Sequence, residues 1–554
     1  MQLKTISHKS AVIGLLFLLT SITAHSQEKL IYHNIRTDKQ GNILPWYNDS
    51  PGISYDHILD LVWNFWDTMR VDMNGIPYYM NHQVWEPVVN DPRGLGGDQI
   101  QMALSAWHLY YVYSGNERVR ENMKFMTDYY LTHGLSPSTA AWPDLPYPYN
   151  TLLYSGVYDG DMVIGKNYTQ PDKAGSFGCE LIRMHKMLNN ERYPNTSQKE
   201  YLDAAIRIAN TLMKQMKAGD ENNSPLPFKV NAVTGEVGKL INHSDNTTTL
   251  SSYTSNWSGT LELFIDLKKL DADHATSYQK AIDTILAWMK NYPMKNNKWG
   301  PFFEDIPGWS DTQINAMTWT RFMMSHRDIF PEWKSDVKKI IEWVYKTLRN
   351  DTWSKYGVTA INEQTAYRVP GNSHTSRQAA DELYYASLTG DKTNVDRAIR
   401  QLNWATYMVD TDGKNQYPQD QNWLTDGYGD YVRHYLRAMA AYPEIAPAGK
   451  NHILSSTSII QLAGYTNEVS EWVIPGVRKV DVKKMIVYYK VYDASGTEVI
   501  RLAKKPSAVY LDGNVVAELK SSQSGQGYFW QTLTSGGGTI TISRTGGKEV
   551  IVLE

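Results

Sequence analysis

Val119, Met123, Met126 and Tyr130 recur at three- and four-residue spacing, so a helix there turns them to one side. The same spacing joins Leu202, Ile206, Ala209, Met213 and Met216. It joins Trp333, Val337, Ile340, Ile341, Val344 and Leu348, and then Val395, Ile399, Leu402 and Tyr407. Lys, Glu, Asp and Arg hold the opposite sides, as on helices with one face in water. A second set is apolar or small nearly all round: Ile100–Tyr113, Gly178–Leu188, Gly259–Leu267, Ile314–Met324 and Ala379–Leu388. Helices of that kind are buried on both sides. Gly97, Gly178, Gly259 and Ser376 near their starts would let neighbouring chains approach closely.

Twelve helix-like segments run from about Tyr55 to Ala441, and the links between them alternate. Tyr113–Asn116, Asn190–Ser197, Leu270–His274, Ser325–Glu332 and Leu388–Thr393 are tight. Val71–Gly96, Thr132–Gly175, Ala218–Asn256, Tyr292–Thr312, Asn350–Ser373 and Asp410–Gly427 are long. A ring of six helical hairpins has this rhythm, with short turns on one rim and long loops on the other. The pattern therefore predicts a mainly α protein, an (α/α)6 toroid of inner and outer helices; the alternative is an irregular helical solenoid. Long loops in a compact domain usually bind or catalyse, so the site is expected on the long-loop rim.

After Ala446-Pro447-Ala448-Gly449 the period changes. Val480, Val482, Met485–Tyr489, Val491, Val499–Leu502, Val509–Leu511, Val515–Ala517, Tyr528–Trp530, Thr539–Ile542 and Val550–Leu553 are β-rich. Asp493-Ala494-Ser495-Gly496, Asp512-Gly513-Asn514, Gly536-Gly537-Gly538 and Gly546-Gly547 supply the turns. These runs predict a small C-terminal β-sandwich over 448–554, behind a helical catalytic domain over 27–447. No catalytic constellation stands in the tail, which would serve as a cap, a dimer surface or a carbohydrate binder.

Residues 1–26 have the form of a signal peptide: Lys4 and Lys9, an apolar run from Ala11 to Leu19, then Ala24-His25-Ser26 at the cleavage position. The run is short for a membrane span, so the expectation is a periplasmic or secreted protein with no membrane insertion after cleavage. The whole chain carries 55 Lys and Arg against 58 Asp and Glu, a net of −3. That balance offers nothing to nucleic acid or an anionic membrane. Cys179 is the only cysteine, which excludes internal disulfides, and its apolar helical setting argues against a reactive thiol. No His/Cys set has zinc spacing, no glycine-rich phosphate loop follows a strand, and no G-x-S-x-G elbow is present. No cofactor or metal is expected; a homo-oligomer remains open.

Candidate chemistry gathers where long loops feed the inner helices. Asp98 closes the run Asp91–Gly97, as a helix cap or as part of a site. Asp159 and Asp161 straddle Gly160, followed by Lys166 and Lys173; they suit an ordinary turn, sugar hydroxyls or acid–base work. Glu304 and Asp305 lie in a stiff aromatic stretch, Gly300–Asp311, that would raise a carboxyl pKa towards the range of a general acid. Gly371–Gln378 opens an inner helix with His374 and Arg377, a receptor for a carboxylate or half of a salt bridge to an acid such as Asp381. Tyr417–His434 is densest, with Asp420, Trp423, Asp426 and Tyr428 before the last helix, and Asp430 and His434 placed to pair with each other. Tryptophan (18) outnumbers phenylalanine (11), a bias towards rings with a polar handle. Trp142, Trp257, Trp299, Trp309 and Trp423 fall in or beside long loops, where indole faces could pack against sugar C–H faces.

An exported α/α toroid with a β-sandwich tail resembles α/α-barrel carbohydrate-active enzymes. The run Trp423–Asp430, together with Pro443-Glu444-Ile445-Ala446-Pro447, looks most like the β-glucuronidases of glycoside hydrolase family 154. The chain resembles unsaturated glucuronyl hydrolases more faintly, with Asp159 and Asp161 as counterparts of their loop acids. The resemblance implies a glycoside hydrolase that removes a terminal uronic acid from acidic glycans. Glu304, Asp305, Asp426 and Asp161 are the candidate catalytic carboxyls. Arg377 and His374 would hold the uronate, while Trp309, Trp423, Tyr428, Asp420 and Trp257 would contact the sugar. A uronate-specific lyase, with Tyr428 or His374 as base, and a non-catalytic glycan binder are the alternatives.

Overall fold

Twelve long helices and one single-turn helix carry the chain from Pro51 to Ala441 in a computed structural model. It describes residues 28–68, 75, 77, 97–152, 155–161, 163–189, 198–242, 244–303, 308–416, 426–465, 484–521 and 525–554; the side chains of 97–99, 198 and 426–429 are outside the description. The helices are α1 (Pro51–Thr68), α2 (Gly97–Ser114), α3 (Glu117–His133), α4 (Pro171–Leu188), α5 (Gln198–Gln215), α6 (Ser258–Leu270) and α7 (Ala275–Asn291). The turn α8 (Pro293–Asn296) leads to α9 (Gln313–Ser325), α10 (Trp333–Leu348), α11 (Asn372–Thr389), α12 (Val395–Thr406) and α13 (Asp426–Ala441).

Contacts close the ring. Helix α2 packs on α4, α4 on α6, α6 on α9, α9 on α11, α11 on α13, and α13 returns to α2. Helices α3, α5, α7, α10 and α12 each pair with the inner helix before them, and α1 lies against α12 and α13. This is the expected toroid. The outer helices bury the stripes read from the sequence; α10, for example, buries Trp333, Val337, Ile340, Ile341, Val344 and Leu348. The tight α2–α3 link depends on Gly115, whose positive φ of 71 a side chain would strain. Asn116 then caps α3 by accepting from the Arg118 N–H at 3.0 Å.

Inner helices α4 and α11 begin earlier than their apolar periodicity, at Pro171 and Asn372. Helix α4 starts at Pro171, a proline at the first turn where its missing N–H costs nothing. Residues 171–177 look like loop in the sequence, but Ala174 and Gly175 are buried, and a Cβ on Gly175 would collide with Thr260 of α6. Gly259 would collide likewise with Ser176, and Gly178 with Leu263. Small residues at these starts therefore set the close α4–α6 approach.

Four long loops join on one rim. Thr169 pairs with Val230, and Trp142 N–H donates to Ala232 O at 2.8 Å, tying 134–170 to 216–257. Tyr253 OH and Ser255 Oγ donate to Lys298 O and Trp299 O, which ties that loop to 292–312. Asp311 N–H donates to Thr365 Oγ1 at 2.9 Å, which joins 349–371.

The tail forms two antiparallel sheets. One, in spatial order, holds His452–Ser456, Gly496–Leu502, Gly538–Arg544 and Gly527–Thr532; the other holds Ile460–Tyr465, Met485–Val491, Glu549–Leu553, Ala508–Leu511 and Asn514–Val515. Ile500, Leu502, Ile540 and Ile542 of the first share a core with Val487, Tyr489, Val550 and Val552 of the second. Tyr489 OH crosses between the sheets to Glu498, which pairs with Arg544, both without solvent exposure. Two strands, His452–Ser456 and Ile460–Tyr465, lie outside the β-rich runs read from the sequence. They dock on the short-link rim: His452 Nδ1 lies 2.8 Å from Tyr113 O, its ring stacks on Tyr113, and Gln461 Nε2 donates to Lys186 O and Asn189 O. Val480 and Val482, read as strand, lie outside the described residues.

Candidate functional site

The inner helices surround a cavity of about 550 Å³. Gln101 and Met102 of α2, Asn256, Phe302 and Ile314 line it near the helix starts, on the long-loop side. Residues 453–460, from the two docking strands and the turn between them, line it at the other end, where Ser455, Ser456, Thr457 and Ser458 form a floor.

Charge on its walls is partly segregated, with Arg183 of α4 the cation among the acids. Glu180 of α4 and Glu262 and Asp266 of α6 come from one pair of adjacent helices. Arg321 of α9 and Arg433 and Arg437 of α13 come from the helices that flank α11. The acids carry counter-charges: Glu180 pairs with Arg183, Glu262 with His326 at 2.8 Å, and Asp266 with Lys186 at 2.9 Å. Behind the arginine wall, Arg321 pairs with Asp381 at 2.8 Å, while Arg377 and Arg433 both pair with Asp430. Arg433 also donates to Ser105 Oγ at 2.8 Å, bridging α13 to α2. Burial by itself would raise the Asp430 carboxyl, but Arg377, Arg433 and His434 together hold it well below the usual carboxylate range.

Beside the lining residue Asn256, Asp172 in the first turn of α4 is fully buried. Its Oδ2 accepts from Asn256 Nδ2 at 2.8 Å, and Oδ1 has no hydrogen-bond partner among the described residues. Burial pushes this carboxyl upward, against the opposing pull of Lys173 and Asn256. Lys173 lies over the Phe302 ring, 4.0 Å from its centroid, and donates to Phe302 O at 3.3 Å. Burial holds His374 down to about 3, assisted by Arg377, and pushes His108 and His434 well below their ordinary value. These imidazoles are neutral at physiological pH.

The sequence-predicted residues fall into three groups. Glu304, Asp305, Asp420 and Trp423 lie outside the described residues; Asp426 and Tyr428 stand in the first turn of α13, with side chains outside the description. His374, Arg377 and Asp430 do come together behind the arginine wall, with Arg377 Nη1 donating to Gln313 Oε1 at 2.6 Å. There Asp430 satisfies Arg377 from within the protein, and Asp381 pairs with Arg321 instead; the carboxylate-receptor role expected of Arg377 is taken internally. Asp430 and His434 do adjoin, at 3.3 Å. Asp161 is elsewhere: fully buried, it pairs with buried Lys229 at 3.0 Å and accepts from the N–H groups of Val163 and Ile164, which makes it a loop staple. Trp257 is also buried, its Nε1–H donating to Thr254 O at 2.8 Å, so its indole is core rather than sugar platform. Trp309 is 43% exposed and held by Asp311 through Nε1, ready to stack on the rim.

Sequence reasoning passed over Asp172, Glu180, Arg183, Glu262, Asp266, Arg321, Arg433 and Arg437. A signal was present: all stand on helices otherwise apolar enough to be buried, and a charge on such a helix needs a reason.

No known family profile matches the chain, and no curated protein does. Solved structures do. A cellobiose 2-epimerase from Spirochaeta thermophila DSM 6192 is 14% identical with a TM-score of 0.53, over 71% of this chain and 97% of its own. A sugar epimerase from a ruminal bacterium is 13% identical with a TM-score of 0.51, over 70% and 98%. A D-mannose isomerase is 10% identical with a TM-score of 0.50, over 70% and 97%. At such identities the likeness shows the fold alone, an α/α toroid.

Proposed function

We propose that the protein is an exported glycoside hydrolase that removes a terminal uronic acid from acidic glycans, in the manner of a β-glucuronidase. The observation that carries the reading is the cavity's charge distribution, with Glu180, Glu262 and Asp266 beside Arg183 on the α4–α6 wall and only guanidinia among the charged groups of α9 and α13. A uronate has a carboxylate for the second wall and a glycosidic oxygen for the first. One carboxyl would donate a proton to the leaving oxygen while another activates water or attacks the anomeric carbon. Glu180 and Glu262 reach the cavity, Asp172 next to the lining Asn256 is a carboxyl that burial shifts towards its acid form, and Glu304, Asp305 and Asp426 remain the carboxyls expected from the sequence. Fold likeness to carbohydrate-active enzymes and the exposed Trp309 support a sugar ligand.

Incubation with glucuronate-capped oligosaccharides tests this. Free saturated uronate is the expected product, and Glu180→Gln and Glu262→Gln should each lower kcat by about 100-fold or more without unfolding the chain. A 4,5-unsaturated product would identify a lyase instead, and retention without product a glycan-binding protein.

A second reading is sugar epimerisation or isomerisation. The fold shared with the cellobiose 2-epimerase and the D-mannose isomerase favours it, and His108 lines the cavity. An intact glycan with a changed reducing-end sugar would be its signature.

A further inference from the structure

Every charged side chain lining the cavity except one has an opposite charge within ion-pair distance among the described residues. Glu180 and Arg183 have each other, Glu262 has His326, Asp266 has Lys186, Arg321 has Asp381 and Arg433 has Asp430. Arg437 has no ion pair and no side-chain hydrogen bond among the described residues. The nearest acids, Asp381 and Asp430, are already engaged, so Arg321, Arg377, Arg433 and Arg437 share two carboxylates. The histidines of this wall do not add acid or base at neutral pH, being held uncharged by burial.

Arg437 is partly exposed, and it lines the cavity. Burial, then the like charges of Arg321 and Arg433, disfavour its charged form. A lysine in such a place would shed its proton, but a guanidinium stays protonated in proteins. An unpaired interior cation of fixed charge is costly. The economical way to hold it is to leave room for an anion, and the cavity provides that room; at about 550 Å³ it falls within the roughly 300–1,000 Å³ of small-molecule sites.

From this geometry we infer that Arg437, backed by Arg321 and Arg433, forms a receptor for a carboxylate or similar small oxyanion in the barrel cavity. The guanidinium fork suits a planar carboxylate, and the hydroxyl of Ser105 stands beside Arg433. Two sources share this chemistry: the carboxylate of a bound uronate, or a free anion held independently of any sugar. The first rests on the hydrolase reading; the receptor itself does not.

The test measures binding to the full chain by calorimetry and by thermal shift, in low-salt buffer, with sodium glucuronate, sodium acetate, inorganic phosphate and glucose. Glucuronate should bind and raise the melting temperature, and glucose should do so at least tenfold more weakly. Acetate and phosphate matching glucuronate would identify a free-anion site; glucuronate alone would identify the substrate carboxylate. Arg437→Met should abolish the anion response and melt no lower than the parent in anion-free buffer, because it removes an unpaired interior charge. Arg437→Lys, which keeps nearly the same volume and an amine that a bound anion can hold protonated, should retain a weakened response and guards against a misfolded methionine variant. An unchanged anion response in Arg437→Met, or a parent protein indifferent to all three anions, overturns the receptor. Binding without turnover leaves the receptor standing and removes the hydrolase; turnover with unchanged KM in Arg437→Met does the reverse.

Discussion

His452 shows how a single side chain couples this fold to pH. It sits on the short-link rim, stacked on Tyr113, and burial pushes its imidazole from 6.5 down to about 4 although Asp56 opposes the shift. Unfolded chains take up that proton near 6.5, and the folded chain only near 4. Between those values the unfolded state binds more protons, so stability falls as pH falls through this window and is fully present above it. The shift corresponds to about 3 kcal/mol at its limit. Urea midpoints measured at about pH 7 and about pH 5 should differ, and His452→Gln should reduce the difference. His374, held down to about 3, adds to the same trend, so some slope persists in that variant. An unchanged slope would mean that His452 titrates normally. At this scale the sequence was least transparent. Asp161 and Glu304 look alike as loop acids, yet Asp161 is consumed by Lys229, a residue far along the chain that no local pattern connects to it. Likewise Arg377 reads as an open cation until Asp430 is seen beside it.

Among elements, the α4–α6 pair approaches closely through glycines. Gly175 and Gly259 face Thr260 and Ser176, so no side chain fits at either glycine without movement. Gly175→Ala should therefore destabilise by about 1–3 kcal/mol, despite alanine's better helix propensity. Thermal denaturation reads this; an alanine variant as stable as the parent would show that the helices can separate freely. The sequence displayed Gly178 and Gly259 as close-approach positions, because glycine in an apolar helix has few other uses. It concealed the first two turns of α4, since Pro171, Asp172 and Lys173 look like loop and become helix only when packed on α6. The strands His452–Ser456 and Ile460–Tyr465 were concealed for a related reason. Their serine-rich segment lacks a clean alternation, and their partners lie in α2 and α4 as much as in the sheets.

For the whole molecule, the sheets and the barrel share one continuous core, and residues 453–460 supply the cavity floor. Arg120, without solvent exposure, donates from Nη1 to Gln461 O at 2.7 Å, so removing the tail would strip a buried cation of a partner. A chain ending at Pro447 should melt several degrees lower or aggregate, and its cavity should lose anion or sugar binding with the floor. Light scattering and thermal melts of the shortened chain decide this; a monodisperse barrel with the parent's melting temperature would show that the tail is a separable appendage. The boundary at 447/448 expected from composition thus becomes a position to cut.

The amino-acid order alone determined the ring. Helical periodicity, the two kinds of helix and the alternation of short and long links are local, and local patterns suffice because each helix must bury a stripe that its own spacing defines. It likewise marked the change to β structure after Ala446 and the rim on which the loops meet. Tertiary structure alone decided which charges are spent. Pairing depends on a few ångströms between side chains distant in the sequence, and burial sets the cost of each unpaired group; only when the ring closes do Asp161 and Arg377 find partners while Arg437 has none among the described residues.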